Sequence, residues 1–253
     1  MKENEKKPFY TAVVLAAGSG SRMQSAQKKQ FMDLCGRPMV VYSLEAFEQN
    51  PNIDSIVLVV AKEDMQYAIN LCMLYQLRKV KNIAEGGSAR FRSVYNGVKA
   101  APQETDYILI HDGARPLVSQ ALIDRCCTSV TLTRALVAAV PVKDTIKTGD
   151  TRGFALQTLD RSNLWSIQTP QAFSYRLFLS AYEKLFQTIA EYHPDESKLT
   201  DDAVIVENMT DCSVRLLHGD YRNIKVTTPD DLIIAEALLK AQAEDENDDD
   251  GKE

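Results

Sequence analysis

The stretch YTAVVLAAGSGSRM, residues 10–23, joins an apolar run to a loop that contains two glycines. The run YTAVVLA has the uninterrupted apolar character of a strand that is buried on both faces. Glycines let backbone N–H groups approach an anion closely, so loops of this kind often hold phosphates. The stretch therefore predicts a strand that ends in a phosphate-binding loop, but a tight turn between a strand and a helix would look the same.

Two familiar phosphate loops do not match this stretch. A dinucleotide-binding fingerprint needs a third glycine three residues after the second, and that position is Met23. A P-loop needs Gly-Lys followed by Ser or Thr, which is absent here. What remains is a Gly18-x-Gly20 loop followed by three cations, Arg22, Lys28 and Lys29.

The chain beyond this loop alternates apolar runs with amphipathic stretches. The runs IDSIVLVVA, DYILIHDGARP and RALVAAVPV read as strands, and helical patterns stand between them. This alternation predicts an α/β fold, Rossmann-like, with a mostly parallel sheet flanked by helices. Ligands of such sheets bind at the carboxyl ends of the strands, where the Gly18 loop and the His111–Pro116 loop fall.

The second half predicts an arm and a tail. Residues 142–170 have short β-like pieces and no helical period, so we expect a protruding β-arm that serves dimerisation. We also expect short strands at SVRLLHG and NIKVT, and a last helix with Thr228 before Pro229 in its first turn. Residues 8–243 are predicted to form a single domain. The acidic segment EDENDDDGKE, residues 244–253, is predicted to be a disordered tail.

Composition excludes several classes of protein. The formal net charge of -6 argues against a general nucleic-acid binder. No apolar stretch approaches the roughly 20 residues that span a membrane, and the charged start MKENEKKPFY is unlike a secretory signal, so we expect a cytoplasmic protein. Five cysteines without a C-x-x-C pair, and three histidines, predict free thiols rather than a zinc site or a disulfide framework.

Seven motifs follow one another along the chain. They are AAGSGSRM with KKQF after it (16–31), EGGSARFRSV (85–94), IHDGARP (110–116), PVKDTIK (141–147), LDRSNLWSIQTPQAF (159–173), LTDDAVIVE (199–207) and GDYRNIKVTTPDDL (219–232). In this order they resemble the 2-C-methyl-D-erythritol 4-phosphate cytidylyltransferases of the non-mevalonate isoprenoid pathway, over residues 10 to 240. The resemblance implies a fold of the nucleotide-diphospho-sugar transferase type.

The resemblance also implies a reaction. CTP and 2-C-methyl-D-erythritol 4-phosphate would give 4-diphosphocytidyl-2-C-methyl-D-erythritol and pyrophosphate, with a divalent cation such as Mg²⁺. A phosphate monoester is already a dianion near pH 7, so the chemistry needs charge neutralisation and positioning rather than a strong base. By motif match Arg22 and Lys29 are the catalytic cations. Without the other motifs, both would pass for solvated loop cations.

The remaining site residues are carried over motif by motif. Asp112 faces the acceptor and the metal, a role that suits a hard carboxylate, although an Asx turn or N-cap is the plain alternative. Arg115 faces an anionic substrate or a neighbouring subunit. Arg161 is implied to bind the acceptor phosphate, and a salt bridge within the arm is its alternative role. The implied nucleotide-binding residues are Ala16, Ala17, Gly18, Gly20, Gly86, Gly87 and Ser93; the implied substrate-binding residues are Asp112, Arg115, Thr145, Arg161, Thr169 and Lys225. Thr145 and Arg161 lie on the arm, which in the family embraces a partner subunit, so we expect a homodimer.

Two positions depart from the family pattern. Lys28 replaces the usual proline before the loop lysine. Either Lys28 or Lys29 is therefore a candidate for the lysine that stabilises charge at the transferring phosphorus. Gly113 replaces the usual alanine after the aspartate. Arg90 and Arg92 are also compatible with a role as surface charges. Three other functions stay open: a cytidylyltransferase for another polyol phosphate such as ribitol 5-phosphate, a nucleotide-binding protein without catalysis, and a nicotinamide-dependent oxidoreductase.

Overall fold

The fold is built around a twisted sheet, seen here in a computed structural model that describes residues 7–18, 28–193 and 195–250. The strands are β1 (Tyr10–Ala16), β2 (Asp33–Leu34), β3 (Arg37–Pro38), β4 (Ile53–Val60), β5 (Val80–Glu85), β6 (Tyr107–Asp112), β7 (Ala135–Pro141), β8 (Lys147–Gly149), β9 (Ala155–Thr158), β10 (Trp165–Ser174) and β11 (Arg215–His218). The helices are α1 (Met39–Gln49), α2 (Met65–Leu74), α3 (Arg90–Lys99), α4 (Gln120–Thr133), α5 (Tyr175–Tyr192), α6 (Asp202–Met209) and α7 (Pro229–Asp250).

In the described part of the chain, seven strands form the central sheet in the order β11-β7-β10-β6-β1-β4-β5. β1 pairs in parallel with β4 and β6, β4 with β5, and β7 with β11. β10 runs antiparallel to both of its neighbours, β6 and β7. The prediction of a mostly parallel sheet flanked by helices is confirmed.

Strand β1 shows why both faces of the sheet are covered. Ala12 and Val14 pack into the core on one face, and Val13 packs into the core on the other. The first core is closed by α1, α2 and α4, and the second by α3, α5 and α6. Ser119 caps α4 as predicted, because its hydroxyl accepts a hydrogen bond from the Leu122 N–H at 3.3 Å.

The strand order places a ligand crevice beside β1. The chain adds β4 and β5 on one side of β1 and then crosses to the other side to form β6. This reversal is a topological switch point of the sheet, and ligands bind at the carboxyl ends of strands at such a point. The loops after Ala16 and Asp112 both start there.

The predicted arm is present but shorter than expected. β8 and β9 form a separate two-stranded antiparallel sheet that leaves the central sheet after Pro141. Residues 165–170 do not belong to it, because Trp165 already pairs with Pro141 of β7 at the start of β10. Residues 168–173 are buried without interruption, as in a central strand, so the end of the segment predicted as the arm belongs to the sheet.

One further prediction is wrong. The segment NIKVT is not a strand: the Val226 N–H donates to the Ala114 carbonyl in the loop after β6, so the segment follows that loop instead of joining the sheet. Helix α7 extends to Asp250, into the segment predicted to be an acidic tail. No glycine or proline interrupts the sequence between Pro229 and Gly251, so no breaker ends the helix before its acidic end.

Other features agree with the sequence. Thr228 caps α7, since its hydroxyl accepts from the Asp231 N–H at 3.3 Å while the Asp231 carboxylate accepts from the Thr228 N–H at 2.9 Å. All five cysteines are free thiols. Among the described residues, none of the helices combines the length and apolar character that crossing a membrane requires.

Candidate active site

A pocket of about 380 Å³ opens at the carboxyl ends of β1 and β6. Three segments of chain form most of its wall: the end of β1, the turn before α3 and the end of β6. Its lining residues are Leu15, Ala16, Ala17, Gly18, Lys29, Gln30, Gly87, Ser88, Ala89, Arg90, Ser93, Asp112, Ala114 and Lys225. Eight residues that the sequence predicted for the site therefore share this pocket: Ala16, Ala17, Gly18, Lys29, Gly87, Ser93, Asp112 and Lys225.

The glycine corner before α3 forms one wall. A Cβ on Gly86 would lie 2.4 Å from the Ala17 Cβ, and one on Gly87 would lie 2.5 Å from the Arg92 Cβ. The Gly87 N–H donates to the Ser93 hydroxyl at 2.9 Å, which fixes the corner against the first turn of α3. Both glycines are therefore required by close approach, and Ser93 holds the backbone in place.

A short 3-10 turn, Lys29–Phe31, contributes Lys29 and Gln30 to the pocket wall. The buried Gln30 amide donates to the Ala16 carbonyl at 2.6 Å and to the Gly18 carbonyl at 3.1 Å. The Lys29 ammonium lines the pocket and donates to the Val226 carbonyl at 3.3 Å. The two lysines thus differ: Lys28 forms ion pairs with Glu63 and Asp64, and Lys29 is the lysine in the pocket.

Asp112 lies between two cations. Its Oδ1 is 3.3 Å from Arg90 Nη2, and its Oδ2 is 2.6 Å from Lys225 Nζ. Burial alone would favour the neutral acid, but the charges of Arg90 and Lys225 outweigh it and hold the pKa of Asp112 well below its usual range. The pocket therefore contains an ionised carboxylate beside a guanidinium and an ammonium.

Arg90 also contacts a second, deeper carboxylate. Its Nη2 is 2.9 Å from Asp202 Oδ2, and Asp202 is fully buried. The Tyr182 hydroxyl donates to Asp202 Oδ1 at 3.1 Å, and the Gln171 amide oxygen accepts from the Asp202 N–H. Burial raises the pKa of Asp202, and the charge of Arg90 opposes that rise. The option that Arg90 is a plain surface charge is wrong, because it joins the pocket to the core.

A chain of hydrogen bonds supports the Asp112 loop from behind. The Asp112 N–H donates to the Thr169 hydroxyl at 3.1 Å, and Thr169 Oγ1 lies 3.0 Å from His111 Nδ1. His111 Nε2 lies 3.1 Å from the Arg115 carbonyl, which can only accept, so Nε2 carries the proton and Nδ1 accepts from Thr169. Burial lowers the pKa of His111 to about 4. The imidazole is neutral and fully engaged, so it orients the loop.

Arg115 and Thr169 lie behind the pocket instead of lining it. The Arg115 guanidinium donates to the Asn223 carbonyl at 2.7 Å and to the Ile167 carbonyl at 3.3 Å. These bonds fasten the loop after β6 to β10 and to the segment that carries Lys225. Burial lowers the pKa of Arg115 although Asp112 opposes that effect.

Gly113 has a packing role. A Cβ at this position would lie 2.9 Å from the Leu15 carbonyl oxygen and 3.0 Å from Val40 Cγ2. The Gly113 N–H donates to that same Leu15 carbonyl at 2.9 Å. The departure from alanine thus lets the ends of β1 and β6 approach closely at the crevice.

The other predicted residues are not brought to this pocket. Thr145 and Arg161 lie exposed on the arm, where the Arg161 guanidinium donates to the Lys143 carbonyl at 2.9 Å. The alternative of an arm salt bridge for Arg161 finds no carboxylate partner within the described ranges. Gly20 and Arg22 lie outside the described residues.

The donor set can be compared with the needs of Mg²⁺. In the described portion of the chain no cluster of three or more His, Cys, Asp or Glu side chains forms. Mg²⁺ usually keeps several waters and takes only one or two protein carboxylates plus substrate phosphates. Asp112, an ionised carboxylate in the pocket wall, fits that mode once a cation that pairs with it moves aside.

Sequence reasoning did not single out Gln30, Ser88, Ala89 or Asp202. Ser88 and Ala89 follow Gly87 directly, so the corner that was identified already contained them. Gln30 and Asp202 gave no separate signal, because a buried polar side chain is recognised only when its partners are known.

Comparisons with known proteins agree with this geometry. A family model described as 2-C-methyl-D-erythritol 4-phosphate cytidylyltransferase (IspD) matches residues 10–241. A protein of that name from Lachnospira eligens is 45% identical over 230 residues, which cover 91% of this chain and 99% of the relative. Another from Shouchella clausii is 44% identical over 231 residues, covering 91% and 96%.

Solved structures give the same result. The crystal structure of 4-diphosphocytidyl-2C-methyl-D-erythritol synthase from Anaerococcus prevotii matches with a TM-score of 0.78 and 32% identity, covering 92% of this chain and 97% of that chain. The structure of 2-C-methyl-D-erythritol 4-phosphate cytidylyltransferase from Thermus thermophilus matches with a TM-score of 0.71 and 26% identity, covering 90% and 98%. The matched range contains all the described lining residues of the pocket.

Proposed function

This chain belongs to the 2-C-methyl-D-erythritol 4-phosphate cytidylyltransferase family, and from that membership we propose that it joins CTP to 2-C-methyl-D-erythritol 4-phosphate. It is a nucleotidyltransferase, and the products of the proposed reaction are 4-diphosphocytidyl-2-C-methyl-D-erythritol, an isoprenoid precursor, and pyrophosphate. The observation that carries the proposal is the pocket at β1 and β6, whose wall contains Lys29, Arg90 and Lys225 together with Asp112, the one carboxylate among its described lining residues.

The charges of the pocket suit the attack of one phosphate on another. The acceptor phosphate is a dianion near pH 7 and attacks the α-phosphate of CTP, so two polyanions must be brought together. Lys29 and Lys225, which both line the pocket, offset that repulsion, and the family resemblance adds Arg22 from the glycine-rich loop. Preorganised cations of this kind act mainly on the charge that develops in the transition state.

The site does not need a general base. His111, the one histidine beside the pocket among the described residues, donates through Nε2 and accepts through Nδ1, so neither nitrogen is available to a substrate. The glycine corner presents backbone groups to the nucleotide, in the manner that the resemblance implies for cytosine and ribose. Asp112 would hold Mg²⁺, which when bound would neutralise phosphate charge.

We further propose a homodimer in the cytoplasm. The arm exposes apolar side chains, with Phe154 exposed by 65% and Leu156 by 69%. Thr145 and Arg161 lie on the same arm and not in the pocket of their own chain. A partner subunit would bury the apolar residues and bring these two polar residues to the acceptor end of its pocket. Light scattering would give the subunit number, and fractionation of cells would give the location.

The decisive experiment is pyrophosphate release from CTP and Mg²⁺ with two acceptors assayed in parallel. Release with 2-C-methyl-D-erythritol 4-phosphate alone supports the proposal. Release with ribitol 5-phosphate alone would keep the chemistry and change the acceptor. If CTP binds and neither acceptor releases pyrophosphate, the protein is a nucleotide binder and the proposed reaction is wrong.

A further inference from the structure

The lysine that replaces the family's usual proline has its own set of contacts. Lys28 Nζ lies 2.5 Å from Glu63 Oε1 and 2.6 Å from Asp64 Oδ2. Both carboxylates belong to the short turn Lys62–Asp64, which follows β4. The ion pairs therefore join the end of the glycine-rich loop to the neighbouring strand connection.

The backbone of Lys28 already has a proline-like shape. Its φ is -62° and its ψ is 134°, and a proline ring fixes φ near -65°. The Lys28 carbonyl accepts the first hydrogen bond of the turn, from the Phe31 N–H at 2.9 Å. Residue 28 thus starts the turn that presents Lys29, and no ring restrains it.

The turn is held from two other directions. The Gln30 amide donates to the Ala16 and Gly18 carbonyls, which fixes the turn to the end of β1. The Phe31 ring packs edge-on against the Tyr67 ring of α2, with their centroids 4.9 Å apart. Lys28 supplies a third attachment, and the residue between these attachments is Lys29, which lines the pocket.

The two carboxylates differ in exposure. The Asp64 side chain is 17% exposed and that of Glu63 is 69% exposed. Solvent weakens an ion pair at an exposed group, so Asp64 is the stronger partner and Glu63 the weaker one. Burial lowers the pKa of Lys28, but both carboxylates outweigh it and raise the pKa above its ordinary value.

We propose that Lys28, Glu63 and Asp64 form a clamp that positions Lys29 in the pocket. The ion pairs of the clamp restrain residue 28, as the ring of a proline would. Lys28 is a positioning residue, since it acts through Lys29 and does not line the pocket. The expected effect on turnover rests on the proposed function, whereas the expected ordering of the turn Lys29–Phe31 does not. The clamp also predicts a dependence on ionic strength that a ring would not cause.

The first test measures the turn directly. Amide hydrogen exchange of Phe31 and Met32 reports the bonds to the Lys28 and Lys29 carbonyls. In Lys28→Met, which keeps the length of the side chain and removes its charge, both amides should exchange faster than in the wild type. Unchanged exchange would overturn the clamp whether or not the protein is a cytidylyltransferase.

The second test measures turnover. At about 0.1 M NaCl, Lys28→Met should lower kcat/KM for CTP about fivefold, mostly through kcat. At about 1 M NaCl, where the Debye length falls from about 10 Å to about 3 Å, the ratio of wild type to variant should approach one. Lys62→Met is the matched control, because Lys62 is exposed on the same turn as the two carboxylates. A deficit that salt does not change, or an equal deficit in the control, would overturn the clamp.

A proline variant tests whether the backbone position of residue 28 is sufficient without its charge. Lys28→Pro should stay within about twofold of the wild type in kcat/KM, because the backbone angle already fits. Asp64→Asn should lower kcat/KM in the wild-type background and have no effect in the Lys28→Pro background. If Asp64→Asn has the same effect in both backgrounds, Asp64 does not act through Lys28 and the proposal fails.

Discussion

Acidification tests the hydrogen-bond chain behind the pocket. The unfolded chain protonates His111 below its ordinary pKa of about 6.5, whereas burial delays protonation in the folded protein to about pH 4. Between these values the unfolded state binds the additional proton, so the free energy of unfolding falls as the pH falls. From pH 7 to pH 4.5 this one group should remove about 2.5 kcal/mol of stability.

The physical reason lies in the acceptor role of Nδ1. A proton on that atom leaves the Thr169 hydroxyl without its acceptor and puts a charge in a buried position. Arg115 and Lys225 oppose this charge, and Asp112 partly offsets their effect. The Asp112 loop would therefore lose its support together with the stability.

The assay compares urea unfolding of the wild type and His111→Gln at pH 7 and pH 4.5, followed by circular dichroism. The glutamine amide can still donate to the Arg115 carbonyl and does not titrate. The variant should be less stable at pH 7 and lose about 2.5 kcal/mol less than the wild type on acidification. Parallel losses in the two proteins would refute the assignment of His111 as a neutral, buried acceptor.

Three further outcomes are expected. Gly86→Ala should cost about 1–3 kcal/mol in urea unfolding and weaken CTP binding in calorimetry, because its Cβ would lie 2.4 Å from that of Ala17. Lys29→Ala should lower turnover in the pyrophosphate assay about 10²- to 10³-fold while the melting temperature stays near that of the wild type. Asp202→Asn should cost about 2 kcal/mol in urea unfolding, less than for a fully buried pair since Arg90 is partly exposed, and raise the KM for CTP.

The Gly86 and Asp202 variants each have a matched control. Gly149→Ala should be nearly neutral, because the nearest atom to its Cβ is 3.5 Å away. Tyr182→Phe removes the other bond to Asp202 without a change of charge and should cost about 1 kcal/mol. Equal losses for Gly86 and Gly149, or near wild-type turnover in Lys29→Ala, would contradict the roles assigned here.

The sequence predicted those parts of the molecule that depend on local pattern. The buried run of β1, the Ser119 cap and the glycine corner each follow from a few adjacent residues. The parallel sheet then follows from alternation along the chain, and it places Gly18 and Asp112 at one edge. No further information was needed to predict that Gly18 and Asp112 lie near each other, because they lie at the carboxyl ends of two adjacent strands.

The predictions that failed concern residues whose contacts are distant in the sequence. Segment 223–227 has the composition of a strand, but the Ala114 carbonyl accepts the Val226 N–H in a loop, so the segment carries Lys225 to the pocket as irregular chain. Arg90 has the sequence of a surface cation and is drawn inward by Asp202, which is 112 positions later.

The antiparallel course of β10 decides where this protein tolerates extra residues. The chain leaves the sheet at Pro141 and re-enters it at Trp165, two residues that pair with each other, so the tip of the arm at residues 150–153 is a closed excursion. A tag or a fluorophore inserted at the tip leaves the spacing from Trp165 to Thr169 unchanged. One residue added within that spacing would move the Thr169 hydroxyl away from the Asp112 amide. Within one subunit, length is thus free at the outer end of the arm and fixed at its root, and in the proposed dimer an insertion must also leave Phe154 and Leu156 accessible to the partner.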